Sequence, residues 1–308
     1  MRTIFKESKK FVSSKSWRLW LPSALDFFLP EPKRPPLPTS WTQRPTPLII
    51  GHRGAGNLAL ENTFAAFHLA IEKKFDGIEM DLQLSKDGSV IVFHDPDLER
   101  LTNGAGKVTE KTLAELKQLD AGNKFSEKFV NERIPTFDEV LQLVSGKVVI
   151  VAELKSSRVK SDGLERAVVD IIRKHNAFDW VIIDSFNPVA LWRIRKLEPK
   201  IIIAFDFRDY EPYDHTSIRS VPWLLKQEWF RRGIRKIIKP NFLGPEYSVR
   251  SETLSKLTSK RYPMLFWTVN TNEDLKKVLG FTPWGIITDN PNVFSKMIDA
   301  SGAENHPV

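Results

Sequence analysis

Eight apolar runs, near residues 47–52, 76–82, 147–153, 179–184, 200–206, 234–239, 263–269 and 284–288, alternate with stretches of helical spacing near 62–73, 136–145, 162–175, 187–198, 216–232, 248–260, 271–279 and 290–299. This alternation leaves few folds open. A strand followed by a helix that crosses back over the sheet makes parallel neighbours, and eight such units close into a (β/α)8 TIM barrel. The span 47–300 has the length of one such barrel, and a hydrophobic fraction of 41% can fill its interior. Barrels of this kind place their chemistry at the C-terminal ends of the strands. Four pieces of this chain put acid–base or metal-binding residues there: Ile50-Gly51-His52-Arg53-Gly54, Glu79-Met80-Asp81, Phe93-His94-Asp95 and Ala152-Glu153-Leu154-Lys155.

Spacing adds to residue type. Glu79 and Asp81 stand two apart, so on a strand both carboxylates leave one face while Ile78 and Met80 leave the other. From Asp76 to Asp95 two apolar runs are joined by Asp87-Gly88, a pair suited to a two-residue hairpin turn, and the link is too short for a parallel crossover. That turn predicts pairing of Leu84 with Ile91, Leu82 with Phe93 and Asp81 with His94. One hairpin would then gather two carboxylates and an imidazole. Glu-x-Asp alone is also the pattern of a solvated face, and His-Asp alone is unspecific.

Glu153 is more demanding. It ends Val148-Val149-Ile150-Val151-Ala152, a run apolar enough to be buried on both faces, where an unpaired carboxylate is costly. Lys155 is one candidate partner. A divalent cation shared with Glu79 and Asp81 is another, and three hard oxygen donors favour Mg²⁺ or Ca²⁺ over zinc.

Taken together, residues 52–108 (HRGAGNLALENTF…VFHDPDLERLTNGAGKV) resemble the opening of the glycerophosphodiester phosphodiesterase family, with its His-Arg-Gly, Glu-Asn-Thr, Glu-x-Asp and His-Asp elements in order. Arg133-Ile134-Pro135-Thr136-Phe137, Glu153-Leu154-Lys155, Ser185-Phe186, Trp267-Thr268-Val269-Asn270 and Gly285-Ile286-Ile287-Thr288-Asp289 extend the resemblance over roughly residues 47–300. It implies a small insertion at about 95–135, after the hairpin at the second strand, covering the barrel mouth. It implies that Glu79, Asp81 and Glu153 hold one divalent cation, that His52 and His94 are the acid–base pair, and that Arg53 and Lys155 contact the phosphate. Trp267 would line the alcohol side of the pocket. The implied reaction is metal-dependent hydrolysis of glycerophosphodiesters to glycerol 3-phosphate and an alcohol; related activities are lysophospholipase D-type cleavage of membrane lysophospholipids and, without catalysis, phosphodiester or membrane binding. The family's Pro before Glu-Asn-Thr is Leu60 here, and Asn62 or Thr63 reads first as a helix cap.

Residues 1–46 read as a basic, aromatic and Pro-rich N-terminal extension, and 301–308 as a C-terminal tail. The extension holds nine Lys/Arg against three Asp/Glu, most of the chain's net charge of +8. Trp17, Trp20 and Phe27 stand beside basic residues, and Pro30 to Pro38 predict a stiff tether. Peripheral membrane contact and packing on the barrel flank are both compatible with this pattern. Asp26 and Pro22 interrupt the apolar stretch and no small-residue cleavage site follows, which argues against a signal peptide; no run approaches the roughly 18 apolar residues of a spanning helix. The expected location is the cytoplasm. Because the basic excess is concentrated in a tail, a nucleic-acid partner is not expected. The absence of cysteine excludes disulfides and thiol catalysis. A second aromatic and basic stretch near 205–235 offers Phe207, Tyr210, Tyr213 and Trp223 to a substrate arm and Arg231, Arg232 and Arg235 to an anion, while Leu224, Leu225, Trp229 and Phe230 read as a buried helical stripe.

Overall fold

The computed structural model describes residues 35–44, 46–122, 126–156, 160–209, 224 and 227–294. The chain runs α1 (Thr39–Thr42), β1 (Leu48–Gly51), α2 (Phe64–Glu72), β2 (Gly77–Leu84), β3 (Val90–Val92), α3 (Leu113–Gln118) and α4 (Phe137–Val144). It continues with β4 (Val149–Leu154), α5 (Leu164–Lys174), β5 (Val181–Ser185), α6 (Pro188–Leu197), β6 (Ile202–Phe207), α7 (Glu228–Ile238), β7 (Phe242–Pro245), α8 (Ser251–Ser259), β8 (Leu265–Phe266), α9 (Asn272–Leu279) and β9 (Gly285–Thr288).

Eight of the strands are parallel neighbours in the order β7-β6-β5-β4-β2-β1-β9-β8, with β3 antiparallel on β2. Parallel bridges from Leu243 to Met264 and from Glu246 to Trp267 join the two ends, so the sheet is a nearly closed (β/α)8 barrel. Period-two alternation sorts each strand's residues. Leu48 and Ile50, Val149 and Val151, Ile182, and Ile202 and Ala204 fill the interior, while Ile49, Ile78, Ile150 and Ile183 pack outward under the helices. Continuing the inward series toward the C-terminal mouth reaches His52, Glu79 and Asp81, Glu153 and Lys155, Asp184, and Asp206. The apolar interior and the polar mouth are therefore one set of alternating positions.

The barrel floor is closed from outside the β/α repeat. Trp41 of α1 is fully buried against Phe242 and Trp284, with ring centroids 6.2 and 5.8 Å away. Trp41, with Leu37 half-buried beside it, thus anchors to the barrel a stretch counted with the extension in the sequence; the cluster around Trp17, Trp20 and Phe27 and the tail 301–308 lie outside the described residues.

Five local expectations are corrected. The run 234–239 is the end of α7, not a strand. Arg231, Ile234, Arg235 and Ile238 are buried at helical spacing while Ile237 is exposed. The sixth barrel strand is Phe242–Pro245, whose Gly and Pro weaken its signal. The buried stripe of this helix is therefore those four residues; Leu224 is exposed, Trp229 and Phe230 are half-buried, and Leu225 lies outside the described residues. Arg231 and Arg235 are unavailable to an outside anion: Arg231 donates to Asp209 at 2.9 Å and Arg235 to Glu228 at 2.6 Å, both with no exposure. Phe207 is buried too, under the Arg231 guanidinium at 4.4 Å, so it does not reach a substrate arm. Tyr210, Tyr213 and Trp223 lie outside the described residues.

The hairpin register differs by one residue. Leu82 pairs with Val92, Gln83 with Ile91 and Leu84 with Val90. The turn holds three residues, because Ser85 bonds Ser89 and Gly88 donates back to Ser85 with φ of +85°. Such loops end on a left-handed residue, the role glycine fills most easily. Phe93 therefore faces Asp81, its N–H donating to the Asp81 carbonyl at 2.9 Å, and His94 follows the strand end.

Candidate active site

Strand order delivers the acids. Asp81 on β2 and Glu153 on β4 are register partners, and Glu79 lies one inward step below Asp81. Carboxylate oxygens of Glu79, Asp81 and Glu153 come within 4.8 Å of one another, the geometry of a hard-cation site. Lys155 bridges two of them, its Nζ 2.8 Å from Asp81 and 2.7 Å from Glu153. Burial works against ionisation of Asp81, but Lys155, His94 and Arg53 outweigh it and hold the carboxyl well below the usual range. Glu79 has the opposite balance. Burial and then the Asp81 charge push it up to about 8, so this carboxyl lacks a full positive partner.

The β1 loop supplies the next layer. Gly51 permits a turn so tight that a Cβ there would lie 1.9 Å from the Gly54 carbonyl oxygen. Arg53 follows with φ of +54°, and its backbone N–H donates to Glu79 at 2.8 Å. Left-handed non-glycine residues concentrate at functional sites. Asn62 is a second one, with φ of +56°, and donates to Asp81 at 2.7 Å. The cap of α2 is Thr63, whose hydroxyl accepts from the Ala66 N–H; Asn62, which read as a cap candidate, instead fixes the orientation of an acid in the site.

Each histidine has its Nδ1 held by a carboxylate, which directs Nε2 elsewhere. His52 Nδ1 donates to Asp289 at 2.5 Å, and His94 Nδ1 to Asp95 at 2.7 Å. His52 Nε2 lies 3.8 Å from Glu79. The two carboxylates differ in their own partners. Asp289 is bonded by the neutral Asn270 amide at 2.9 Å, whereas Asp95 is bonded by the Arg100 guanidinium. Burial opposes the His52 imidazolium, but the Asp289 bond and the Glu79 charge prevail and raise its pKa. Arg100, from the 95–135 segment, also donates twice to Glu61, which accepts from Arg53 at 2.8 Å.

All eight expected site residues stand at the C-terminal mouth. Trp267 lies farther round the rim, its Nε1 donating to the Gly244 carbonyl at 2.8 Å and its ring edge-on to Phe186 at 5.2 Å. Residue-level reading did not single out Glu61, Arg100, Asp184, Asp206, Asn270 or Asp289 for this site. Asp184 and Asp206 are buried below the mouth, and Gly244 makes room for them, since a Cβ there would meet Asp206 Oδ1 at 1.8 Å. Burial first, and then each other's or Glu153's charge, raises both carboxyls well above the usual range. Their only sequence signal was an acid at an inward position of an apolar strand.

Titratable groups gathered at the mouth of a parallel barrel mark an enzyme, and the mixture of fixed cations with an acid cluster suits an ester that itself bears negative charge. Residues 52–293 match the Glycerophosphoryl diester phosphodiesterase family, and the chain belongs to that family of phosphoric diester hydrolases. It is 38% identical over 258 residues to a glycerophosphodiester phosphodiesterase of Caldanaerobacter subterraneus subsp. tengcongensis, covering 83% of this chain and 99% of the relative. A Bacillus altitudinis glycerophosphodiester phosphodiesterase is 34% identical over 246 residues, with coverages of 79% and 95%. Among solved structures, an Oleispira antarctica phosphodiesterase in complex with the product sn-glycerol-3-phosphate superposes with a TM-score of 0.67 at 28% identity, covering 82% of this chain and 97% of the other. The Thermotoga maritima glycerophosphodiester phosphodiesterase gives 0.62 at 27% identity, with coverages of 83% and 100%. No helix among the described residues is long and apolar enough to cross a membrane.

Proposed function

We propose that the protein hydrolyses glycerophosphodiesters to glycerol 3-phosphate and a free alcohol, with Glu79, Asp81 and Glu153 as ligands of one divalent cation and His52 and His94 as the acid–base pair. The observation that carries this reading is the convergence in one mouth of the three-carboxylate cluster and two imidazoles, each held at Nδ1 by its own aspartate. The donor set fits a hard cation: three carboxylates, no thiol, and a Glu79 carboxyl that burial pushes up to about 8 for want of positive charge. Bound there, Mg²⁺ or Ca²⁺ would supply charge that neutralises the non-bridging phosphate oxygens.

The remaining chemistry belongs to the chain. Arg53 and Lys155 hold the phosphate as negative charge grows on it; Arg53 Nε is buried and makes no hydrogen bond within the protein. His52 takes the acid's role, because the bond to Asp289, whose other oxygen accepts from the neutral Asn270 amide, favours the imidazolium and raises its pKa. It delivers a proton to the leaving oxygen. His94 is the base and takes the proton of the attacking hydroxyl, while Arg100 draws on the charge of Asp95. Trp267 lines the alcohol side. In this reading residues 95–135 are an insertion that brings Arg100 to the mouth, and the catalytic domain extends from α1 to about residue 300.

Glycerol 3-phosphate release from glycerophosphocholine, glycerophosphoethanolamine and glycerophosphoinositol tests the assignment. Release that stops with EDTA and returns with Mg²⁺ or Ca²⁺ is the expected result. No release from any diester, or release indifferent to chelation, overturns the activity or the cation respectively.

A further inference from the structure

Most charged groups at the mouth have an opposite partner. Arg53 faces Glu61 and Asp81, Arg100 faces Glu61 and Asp95, and Lys155 faces Asp81 and Glu153. Arg208 differs. It follows β6 directly, two positions above the inward Asp206, and its guanidinium carbon lies 5.6 Å over the Phe186 ring. Its Nε is buried and makes no hydrogen bond, and among the described residues no carboxylate forms an ion pair with it. Phe186, just past β5, meets Trp267 edge-on at 5.2 Å, and Trp267 is anchored to the Gly244 carbonyl.

These three residues form a wall on the β5, β6 and β8 side of the barrel, facing the β1, β2 and β4 side that holds the histidines and acids. A diester whose phosphate lies among Arg53, Lys155 and the acids would turn one of its two ester arms toward that wall, and in the pose proposed here that arm is the leaving alcohol. An aromatic wall by itself would welcome a quaternary ammonium through ring-face attraction. Here the Phe186 face is already taken by a guanidinium, which would repel a cationic head group at close range. The same guanidinium presents hydrogen-bond donors in a planar fork that matches carboxylate and phosphate oxygens.

We infer that Arg208, stacked on the Phe186–Trp267 pair, is a specificity-determining residue that selects phosphodiesters whose leaving alcohol carries an anionic group and disfavours those carrying a quaternary ammonium. This inference rests on the proposed phosphodiesterase activity. Because Arg208 sits at the leaving-alcohol end, its effect is on the ratio between substrates more than on turnover in general.

The test compares kcat/KM for glycerophosphoinositol 4-phosphate and for glycerophosphocholine in the full chain, in Arg208→Glu and in Arg208→Met, with melting temperature as the control for folding. The wild type should prefer the anionic diester. Arg208→Glu should move the ratio toward glycerophosphocholine by on the order of tenfold or more, with Arg208→Met between the two. Ratios equal to wild type in a folded variant overturn the inference, and Arg208→Met decides it where Arg208→Glu does not fold. Binding of the same two compounds by calorimetry to wild type and Arg208→Met reads the selectivity without turnover. A protein that cleaves neither diester yet binds them with an Arg208-dependent preference would refute the proposed activity and keep this inference; cleavage of both with no Arg208 dependence would do the reverse.

Discussion

His52 Nδ1 lies 2.5 Å from Asp289 Oδ1, while the other oxygen of Asp289 accepts from Asn270 at 2.9 Å. Two residues 237 positions apart thereby fix which imidazole nitrogen faces the substrate. The bond and charge of Asp289 raise the His52 pKa against the opposing effect of burial. A raised pKa means that the protonated acid persists to higher pH and is lost as pH climbs through the folded value. Asp289→Asn should lower activity about 10–100-fold and move the alkaline limb of the kcat profile to lower pH. A pH–rate series on both proteins checks this, and a limb that stays in place removes Asp289 from the proton balance.

The two histidines should act as a unit. His52→Ala and His94→Ala are each expected to lower kcat by at least about 10², with a double variant far from additive. Steady-state kinetics on the three proteins separates this from a pair of effects on KM alone, which would leave the histidines a binding role.

Asn62 tests whether the orientation of Asp81 matters. Replacing it with Ala leaves a nearly inaccessible carboxylate without its 2.7 Å donor, at a cost of about 2 kcal/mol in stability. Weaker divalent-cation binding should accompany the lower melting point, measured by calorimetry on the same samples. Wild-type cation affinity in Asn62→Ala would show that Lys155 and Arg53 suffice to hold Asp81 in place.

Cation binding to the metal-free chain should depend on pH in a known direction. Glu79 is held up to about 8, so below that value its proton must leave before the carboxylate can serve as a ligand. Affinity should therefore rise from pH 6 to about 8 with proton release, and Glu79→Gln should remove the release. Titrations in buffers of different ionisation enthalpy measure the proton count directly.

Trp41 carries the prediction about the N-terminal stretch. Its indole is buried between Phe242 and Trp284 at the barrel floor, so Trp41→Ala should destabilise the protein by about 3–5 kcal/mol. A chain that starts at Thr46 should melt earlier for the same reason. Denaturation midpoints of the two shortened or substituted proteins, compared with the full chain, settle whether the barrel needs this plug.

Much of the barrel was legible because alternation and burial repeat locally. Seven of the eight barrel strands fall on runs visible in the sequence, and Val149 and Val151 lead by simple period two to Glu153. The remaining one, the sixth in chain order, was missed because Phe242-Leu243-Gly244-Pro245 is short and carries Gly and Pro, while the neighbouring Ile234, Ile237 and Ile238 imitate a strand but obey helical spacing. The hairpin register slipped by one because Asp87-Gly88 fits two turn lengths, and only the bond from Gly88 to Ser85 decides between them. Glu61 and Arg100 were not legible as partners at all, being 39 residues apart in segments whose patterns say nothing about each other.

The sequence by itself determined the repeat, the inward parity of Glu79, Asp81 and Glu153, and the family to which the motifs belong, since all of these are periodic or contiguous. Only the tertiary structure decided that Asn62 holds Asp81 and does not cap a helix, that Asp289 and Asp95 orient the histidines against differently charged neighbours, that Trp41 plugs the floor, and that Arg208 is stacked on an aromatic wall. Apart from the His94–Asp95 pair, whose members are neighbours in the chain, each of those is a contact between different segments. Such contacts depend on how the closed sheet brings strand ends together, which no local period records.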